Sequence, residues 1–299
     1  MRSVNDTARD IASNTASNIA SDTTRDPSIP ATARAAVRAK AAAPDAAAAP
    51  LRLVTWNIHG AVGTDRVRAP ERIARVLQEI DADVAALQEV PLGGATSAAS
   101  SPVLAALSEA TGAQAVAGPT LDTPSRRFGN AVLTHWPITE TRTLDLSFGR
   151  REPRGALDVD ILVDGEPLRV VATHLGLGLR ERSAQIAQLL AAFDRPGLPV
   201  ILAGDINEWL LWRRAFRMLT EHFRAAPAPA TFHTRWPLLA LDRIWMHPVA
   251  RLVSVRAYRD GEARVASDHL PLVAEIAAAT HAVEAAQGEA MADEAQVSG

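Results

Sequence analysis

Apolar residues in this chain recur with two periods, and the alternation between them predicts the elements. Leu51-Arg52-Leu53-Val54-Thr55-Trp56 alternates and is rich in β-formers, which predicts a strand delivering Asn57 at its end. Ile73, Val76, Leu77 and Ile80 follow at helical spacing behind Pro70, a residue suited to the first helical position. Val84-Ala85-Ala86-Leu87 reads as a buried strand ending in Gln88-Glu89, and a small-residue loop over 93–101 leads to a short helix near 103–110. Gly129-Asn130-Ala131-Val132-Leu133-Thr134-His135 is a further strand, stopped by Trp136-Pro137. Residues 156–163 and 168–173 flank Asp164-Gly165, a hairpin turn pair, and the second of these strands ends at His174. A helix with Ile186, Leu189, Leu190 and Phe193 on one face comes next. After a strand over 200–203 the pattern predicts a helix with Trp209, Trp212 and Phe216 turned inward, then strands over 243–246, 252–258 and 270–276. Hairpins mixed with strand–helix units predict an α/β chain whose sheets are covered by helices, not an all-parallel doubly wound sheet.

The polar residues fall at telling places. Asn57, Glu89, His174, Asp205 and Asn207 each follow an apolar strand, and Asp268-His269 precedes one. In Val200-Ile201-Leu202-Ala203-Gly204-Asp205-Ile206-Asn207, Gly204 permits a tight turn, and two oxygen-bearing side chains stand two residues apart. Extended backbone would aim Asp205 and Asn207 at one point, where a carboxylate and an amide suit a hard cation such as Mg²⁺ with a bound phosphate. A single such segment is also what an ordinary strand-end turn looks like. Five strand ends of this kind are not, if they gather at one edge.

Composition divides the chain. Residues 1–50 lack bulky apolar side chains and are expected to form a disordered leader, with neither the apolar core of a secretory signal nor the acid-poor character of a transit peptide. Residues 280–299 are Ala-rich and acidic and are expected to form a second loose tail, leaving one domain over 51–279. The absence of cysteine excludes disulfides, thiolate zinc sites and a cysteine nucleophile. Net charge is −3 and Lys40 is the only lysine, so there is no global basic field for nucleic acid. No apolar run reaches the roughly 20 residues that span a bilayer, and a cytoplasmic location is expected.

Taken in order, seven motifs resemble the Mg²⁺-dependent endonuclease/exonuclease/phosphatase superfamily. They are Thr55-Trp56-Asn57-Ile58-His59-Gly60, Leu87-Gln88-Glu89-Val90, Gly129-Asn130-Ala131-Val132-Leu133, Thr173-His174-Leu175, Gly204-Asp205-Ile206-Asn207, Leu241-Asp242-Arg243-Ile244 and Ser267-Asp268-His269-Leu270-Pro271-Leu272. The resemblance implies a four-layer α/β-sandwich, two mixed β-sheets packed face to face with helices outside. It implies a metal-dependent phosphoric ester hydrolase in which Asn57, Glu89 and Asp268 hold Mg²⁺, with Mn²⁺ as a substitute. Asp205 and Asn207 would orient the attacking water and the scissile phosphate, His174 would assist the leaving oxygen, and His269 would act as general base or phosphate contact with Asp242 bonded to it. A near-neutral imidazole fixed by a carboxylate is what proton transfer at neutral pH requires. The only tyrosine, Tyr258, lies in an unrelated segment, so the chain resembles the deoxyribonuclease or sphingomyelinase branch more than the abasic-site enzymes.

Other positions carry two readings. Asn130 either helps to position Glu89 or His174 or bonds to backbone, and Arg154 is either a phosphate contact or a solvated turn residue. Arg182 and Gln185 read as the polar, solvated face of their helix. His59 either lines the site or makes a structural bond, and His135, His222, His233 and His247 read as structural or surface residues. Trp236-Pro237-Leu238-Leu239 is either a lipid-facing lip or core.

On substrate, a near-neutral domain with scattered arginines disfavours a tight-binding nuclease. A closer likeness to an uncharacterised bacterial branch rests on Thr173-His174-Leu175-Gly176-Leu177 with Arg182 and Gln185, and on Phe232 with Trp236-Pro237-Leu238-Leu239-Ala240-Leu241-Asp242-Arg243. That branch implies a phosphodiesterase acting on a phospholipid headgroup, with peripheral membrane contact. A DNA or RNA nuclease is the alternative in the same superfamily, and a catalytically inactive binding module is the alternative of another class. Survival of both histidines and all the oxygen ligands argues against the module. Oligomeric state is not readable from the chain.

Overall fold

The computed structural model describes residues 49–93, 102–123, 127–192, 198–210 and 213–277. Most of the expected leader, the acidic tail, the loop over 94–101, Phe193 and Trp212 lie outside the described residues. Among the described residues eleven strands are formed: β1 (Leu51–Asn57), β2 (Val84–Gly93), β3 (Gln114–Asp122), β4 (Arg127–Thr134), β5 (Ile138–Asp145), β6 (Gly155–Val163), β7 (Glu166–His174), β8 (Val200–Asp205), β9 (Asp242–His247), β10 (Leu252–Ala257) and β11 (Leu272–Ile276). The helices are α1 (Pro70–Ile80), α2 (Pro102–Thr111), α3 (Leu179–Ala192), α4 (Arg214–Phe223) and the single turn α5 (Ala263–Ala266). One sheet has the order β10-β11-β1-β2-β4-β3 and the other β5-β6-β7-β8-β9, each mixing parallel and antiparallel pairs.

Three apolar clusters define four layers. Between the sheets, Leu53, Val84, Ala86 and Val132 meet Val159, Val170, Ala172, Ile201 and Ile244. Outside the six-stranded sheet, Ile73, Val76, Leu77 and Ile80 of α1 and Leu107 of α2 pack on Val54, Trp56 and Leu87. Outside the five-stranded sheet, Ile186 and Leu189 of α3 and Leu219 and Phe223 of α4 pack on Val171, Leu202 and Trp245. The α/β-sandwich expected from the motifs is what the chain forms.

Period-two alternation carries the inner faces out to one edge. Leu51 and Leu53 point between the sheets, and the same row reaches Thr55 and Asn57. Likewise Leu168, Val170 and Ala172 lead to His174, Ile201 and Ala203 lead to Asp205, and Met246 and Ile244 lead back to Asp242. In β2 the rhythm changes. Ala85 and Leu87 face the helix layer, and so do Val90 and Leu92, so the phase shifts by one residue between them. Opposite, Leu87 pairs with Ala131 and Val90 with Gly129, leaving Gln88 and Glu89 against Asn130 alone. This is a β-bulge, with Glu89 at φ 56, and it turns the Glu89 carboxylate inward instead of ending the strand there. Gly204 has a different task from the turn expected of it. It lies within β8, where a Cβ would come to 1.9 Å from the Thr173 carbonyl oxygen, so only glycine allows β7 and β8 to approach this closely beside the site.

Three other expectations are corrected. Trp209 lies outside α4 and is 46% exposed, while Ala215, Leu219 and Phe223 form the buried face. Arg182 and Gln185 are buried: Gln185 Oε1 accepts from the Gly176 N–H at 2.9 Å, and Arg182 pairs with buried Glu208 at 3.0 Å. Trp236 and Leu238 are 80% and 83% exposed, which removes the core reading of that loop.

On the outer face of the five-stranded sheet, Arg169 and Arg142 converge on Asp158, with Asp160 beside them. Burial alone would raise the Asp158 carboxyl, but the two guanidinium groups outweigh it and hold the pKa below 3.8. A depressed carboxylate contributes stability that is present above the unfolded pKa and lost as pH falls through the folded one. Asp158→Ala is therefore expected to destabilise by about 3 kcal/mol by removing the carboxylate that buried Arg169 and Arg142 share. Asp158→Asn should flatten the fall in melting temperature below the model-peptide value of 3.8, and calorimetry at neutral and acid pH checks both.

Candidate active site

The polar ends of the inner rows meet at one edge of the sandwich. Asp242 is fully buried, and its Oδ2 lies 2.8 Å from His269 Nδ1. Thr231 Oγ1 donates to the same oxygen at 2.5 Å. The loop bearing His269 is tied down twice: Trp56 Nε1 donates to the His269 carbonyl at 2.9 Å, and Ser267 Oγ donates to the Asn57 carbonyl at 2.7 Å. With Nδ1 committed to Asp242, His269 turns Nε2 toward Asp205 Oδ2, 3.7 Å away. Burial by itself would lower the His269 pKa, but Asp242, Asp205 and Asp268 reverse this and push it up to about 10.

Asp205 Oδ2 is the centre of the cluster. It accepts from Asn57 Nδ2 at 3.1 Å and lies 3.5 Å from His174 Nε2. The other oxygen accepts from the Asn207 N–H at 3.0 Å. Asn207 reaches the site through a left-handed turn at φ 53, not through extended alternation. From there Nδ2 donates to the Leu175 carbonyl at 2.9 Å and stands 3.1 Å from His174 Nε2. On the far side of that ring, Arg154 Nη1 is 3.1 Å from His174 Nδ1. A guanidinium and a side-chain NH2 can only donate, so both ring nitrogens of His174 face donors, Nδ1 that of Arg154 and Nε2 that of Asn207. Burial, with help from Arg154 and His269, pushes the His174 pKa down to about 4 against the pull of Asp205, so this ring is neutral while His269 is charged.

Glu89, Asn130, Arg154 and His174 line a small cleft together with Phe128. Asn130 donates to the Gly155 carbonyl at 2.9 Å, the backbone bond being the one it makes. Asn57 Nδ2 donates to Glu89 Oε1 at 3.0 Å as well as to Asp205, so one amide spans both carboxylates while its oxygen accepts from the His59 N–H. His59 itself is half exposed, with Nδ1 3.9 Å from Asp268 Oδ1. His247 is exposed at the opposite end of β9 from Asp242. Thr231, Ser267 and Trp56 hold the dyad in place and were not legible as site residues. Glu208, next to Asn207, pairs with Arg182, which also bonds the Gly176 and Leu177 carbonyls, and so ties the loops after His174 and Asp205 together.

Asp205, Asp242 and Asp268 thus surround the charged His269 imidazole, Glu89 lies 4.0 Å from His174 Nδ1, and among the described residues none of the four carboxylates is in an ion pair with arginine or lysine. An all-oxygen set with uncompensated negative charge fits a hard divalent cation. Asp205, Asp242 and His269 present three donor atoms within 4.8 Å of one another. Two of them, on Asp242 and His269, are spent on each other. Glu89 and Asp268, whose side chains are about a quarter exposed, have oxygens free to face an ion at the cleft.

A family model described as the Endonuclease/Exonuclease/phosphatase family matches residues 54–269. The uncharacterized protein YbhP of Escherichia coli (strain K12) is 36% identical over 167 residues, which span 51% of this chain and 64% of YbhP. Among solved structures, an endonuclease/exonuclease/phosphatase from Beutenbergia cavernae aligns over 77% of this chain and 72% of its own, with TM-score 0.63 and 22% identity. The mannosyl-6-phosphatase Bt3783 of Bacteroides thetaiotaomicron aligns over 76% of this chain and 99% of its own, with TM-score 0.64 and 19% identity.

Proposed function

Since this chain belongs to the Endonuclease/Exonuclease/phosphatase family, we propose that it is a Mg²⁺- or Mn²⁺-dependent phosphodiesterase that hydrolyses its substrate by attack of water. The observation that carries this reading is the His269–Asp242 pair, with the second imidazole nitrogen turned toward Asp205 among carboxylates that, in the described residues, form no ion pair with arginine or lysine. Glu89 and Asp268 would hold the cation, with Asn57 fixing the position of Glu89. When bound, the ion supplies charge to offset the phosphoryl oxygens.

The chain's own groups then divide the work. Carboxylates at both ring nitrogens keep His269 doubly protonated, so it donates from Nε2 to a phosphoryl oxygen and stabilises charge as it develops. Asp205 Oδ2, between the two imidazoles, is placed to take the proton from the attacking water. Asn207 and Asn57 hold that carboxylate from two sides. His174, neutral and bonded to Arg154, presents Arg154 to the anionic substrate at the cleft. Arg154 is the one arginine lining the cleft among the described residues, which favours the single charge of a diester over the double charge of a monoester.

A screen with bis-p-nitrophenyl phosphate, p-nitrophenyl phosphate, plasmid DNA and glycerophosphodiesters, with Mg²⁺ or Mn²⁺, tests the reading. Turnover of diesters well above the monoester is expected. Monoester turnover above that of every diester, or no turnover with either ion, would overturn it.

A further inference from the structure

Beside the catalytic edge, two loop tips form a surface that hydrolysis does not explain. Residues 231–241 make a tight excursion between α4 and β9, closed by a bridge between Phe232 and Leu239. Its base belongs to the site, since Thr231 bonds Asp242 and the Phe232 ring lies 4.8 Å from the His269 ring. Its tip carries Trp236 and Leu238 almost bare to solvent. A second loop, over 62–68, is closed by a bridge between Val62 and Arg68 and exposes Val67. Arg235 Nη2 donates to the Thr64 carbonyl at 3.3 Å and joins the two tips. Both tips are anchored on the segment that delivers Asp268: the Thr64 N–H bonds the Val265 carbonyl and the Thr234 N–H bonds the Asp268 carbonyl, each at 2.8 Å.

The unpaired charges on the two tips themselves are of one sign. Arg66, Arg68 and Arg235 are exposed, and none is in an ion pair among the described residues. The only carboxylate in the 62–68 loop, Asp65, is taken by Arg72 at 2.6 Å. An exposed tryptophan and leucine on one of two joined loop tips that together carry three unpaired arginines are unfavourable in water, and they match the acyl boundary and headgroup layer of an anionic membrane. We propose that these two tips dock the protein on an anionic phospholipid bilayer, with the Asp268–His269 edge at the headgroup layer. This goes beyond the hydrolytic reading and is measured without turnover.

The test is flotation of the full-length protein with vesicles in EDTA, which prevents both turnover and cation bridging. Vesicles of phosphatidylcholine alone are compared with equimolar phosphatidylcholine and phosphatidylglycerol. Flotation only with the anionic vesicles, weakened by added salt, is expected. Trp236→Ser/Leu238→Ser should weaken binding at least about tenfold while leaving the melting temperature unchanged. Arg66→Gln, Arg68→Gln and Arg235→Gln should each weaken it roughly fivefold. No flotation by the wild type, or undiminished flotation of the Trp236→Ser/Leu238→Ser variant, would overturn the proposal. So would self-association that this variant abolishes without any flotation, which would assign the face to a second copy of the chain.

Discussion

His269→Ala is expected to lower kcat by about 10²–10⁴, the scale of one positioned proton-transfer or charge-stabilising group. The geometry makes this the most sensitive position, because His269 Nε2 faces Asp205, where the proposed mechanism puts the scissile phosphate. Asp242→Asn should also lower kcat, since the amide cannot hold Nδ1–H as a carboxylate does, while the concentration of Mg²⁺ needed for half-maximal rate stays nearly constant. The double variant should be far less impaired than the product of the single losses, because the second removal finds a unit already broken. Steady-state kinetics on the four proteins of the cycle decide the matter. Multiplicative losses would show that the 2.8 Å contact does not couple the two side chains in catalysis.

Chelation should have a comparable effect by a different route. EDTA in excess is expected to abolish turnover, and Mg²⁺ or Mn²⁺ to restore it, because four carboxylates outnumber the cationic groups beside them and suit a hard divalent ion. Glu89→Gln keeps the shape and can still accept from Asn57, but it removes one negative charge. The half-saturating Mg²⁺ concentration should rise at least about tenfold and kcat should fall with it. Undiminished turnover in chelator would remove the metal from the mechanism, whatever the outcome at His269.

Much of this was legible because strand periodicity is a strong signal where both faces are buried. β1, β8 and β9 pack against apolar side chains on each face, and their sequences read as strands with polar ends. β3 and β5 did not stand out, and both are edge strands. Ile138-Thr139-Glu140-Thr141-Arg142-Thr143-Leu144-Asp145 is covered on few sides and carries little apolar alternation, and β3 contains Gly118 and Pro119. The convergence of Asn57, His174, Asp205 and Asp242 followed from alternation alone once the sheets faced each other. Glu89 did not, since its direction depends on a bulge that no local pattern announces. Arg182 and Gln185 were misread for a related reason. Their helical spacing is that of an exposed polar face, and only the loop after His174, folding back over them, makes that face interior.

The continuity between the inner apolar rows and the polar cluster bears on how such a protein can change. Asn57, His174, Asp205 and Asp242 are the last members of rows whose earlier members form the middle of the sandwich, so their separations follow from how far apart two packed sheets stand. Moving any of them by even an ångström would require repacking side chains along the whole row, with the losses that misfit in a dense interior brings. The polar cluster is therefore conservative by construction, while the tips of the excursions over 62–68 and 231–241 can lengthen, shorten or exchange side chains at little cost to the interior. New substrate preferences in chains of this architecture should arise as altered loops around an unaltered centre. A selection for a changed leaving group, started from this sequence, would be expected to accumulate its substitutions there.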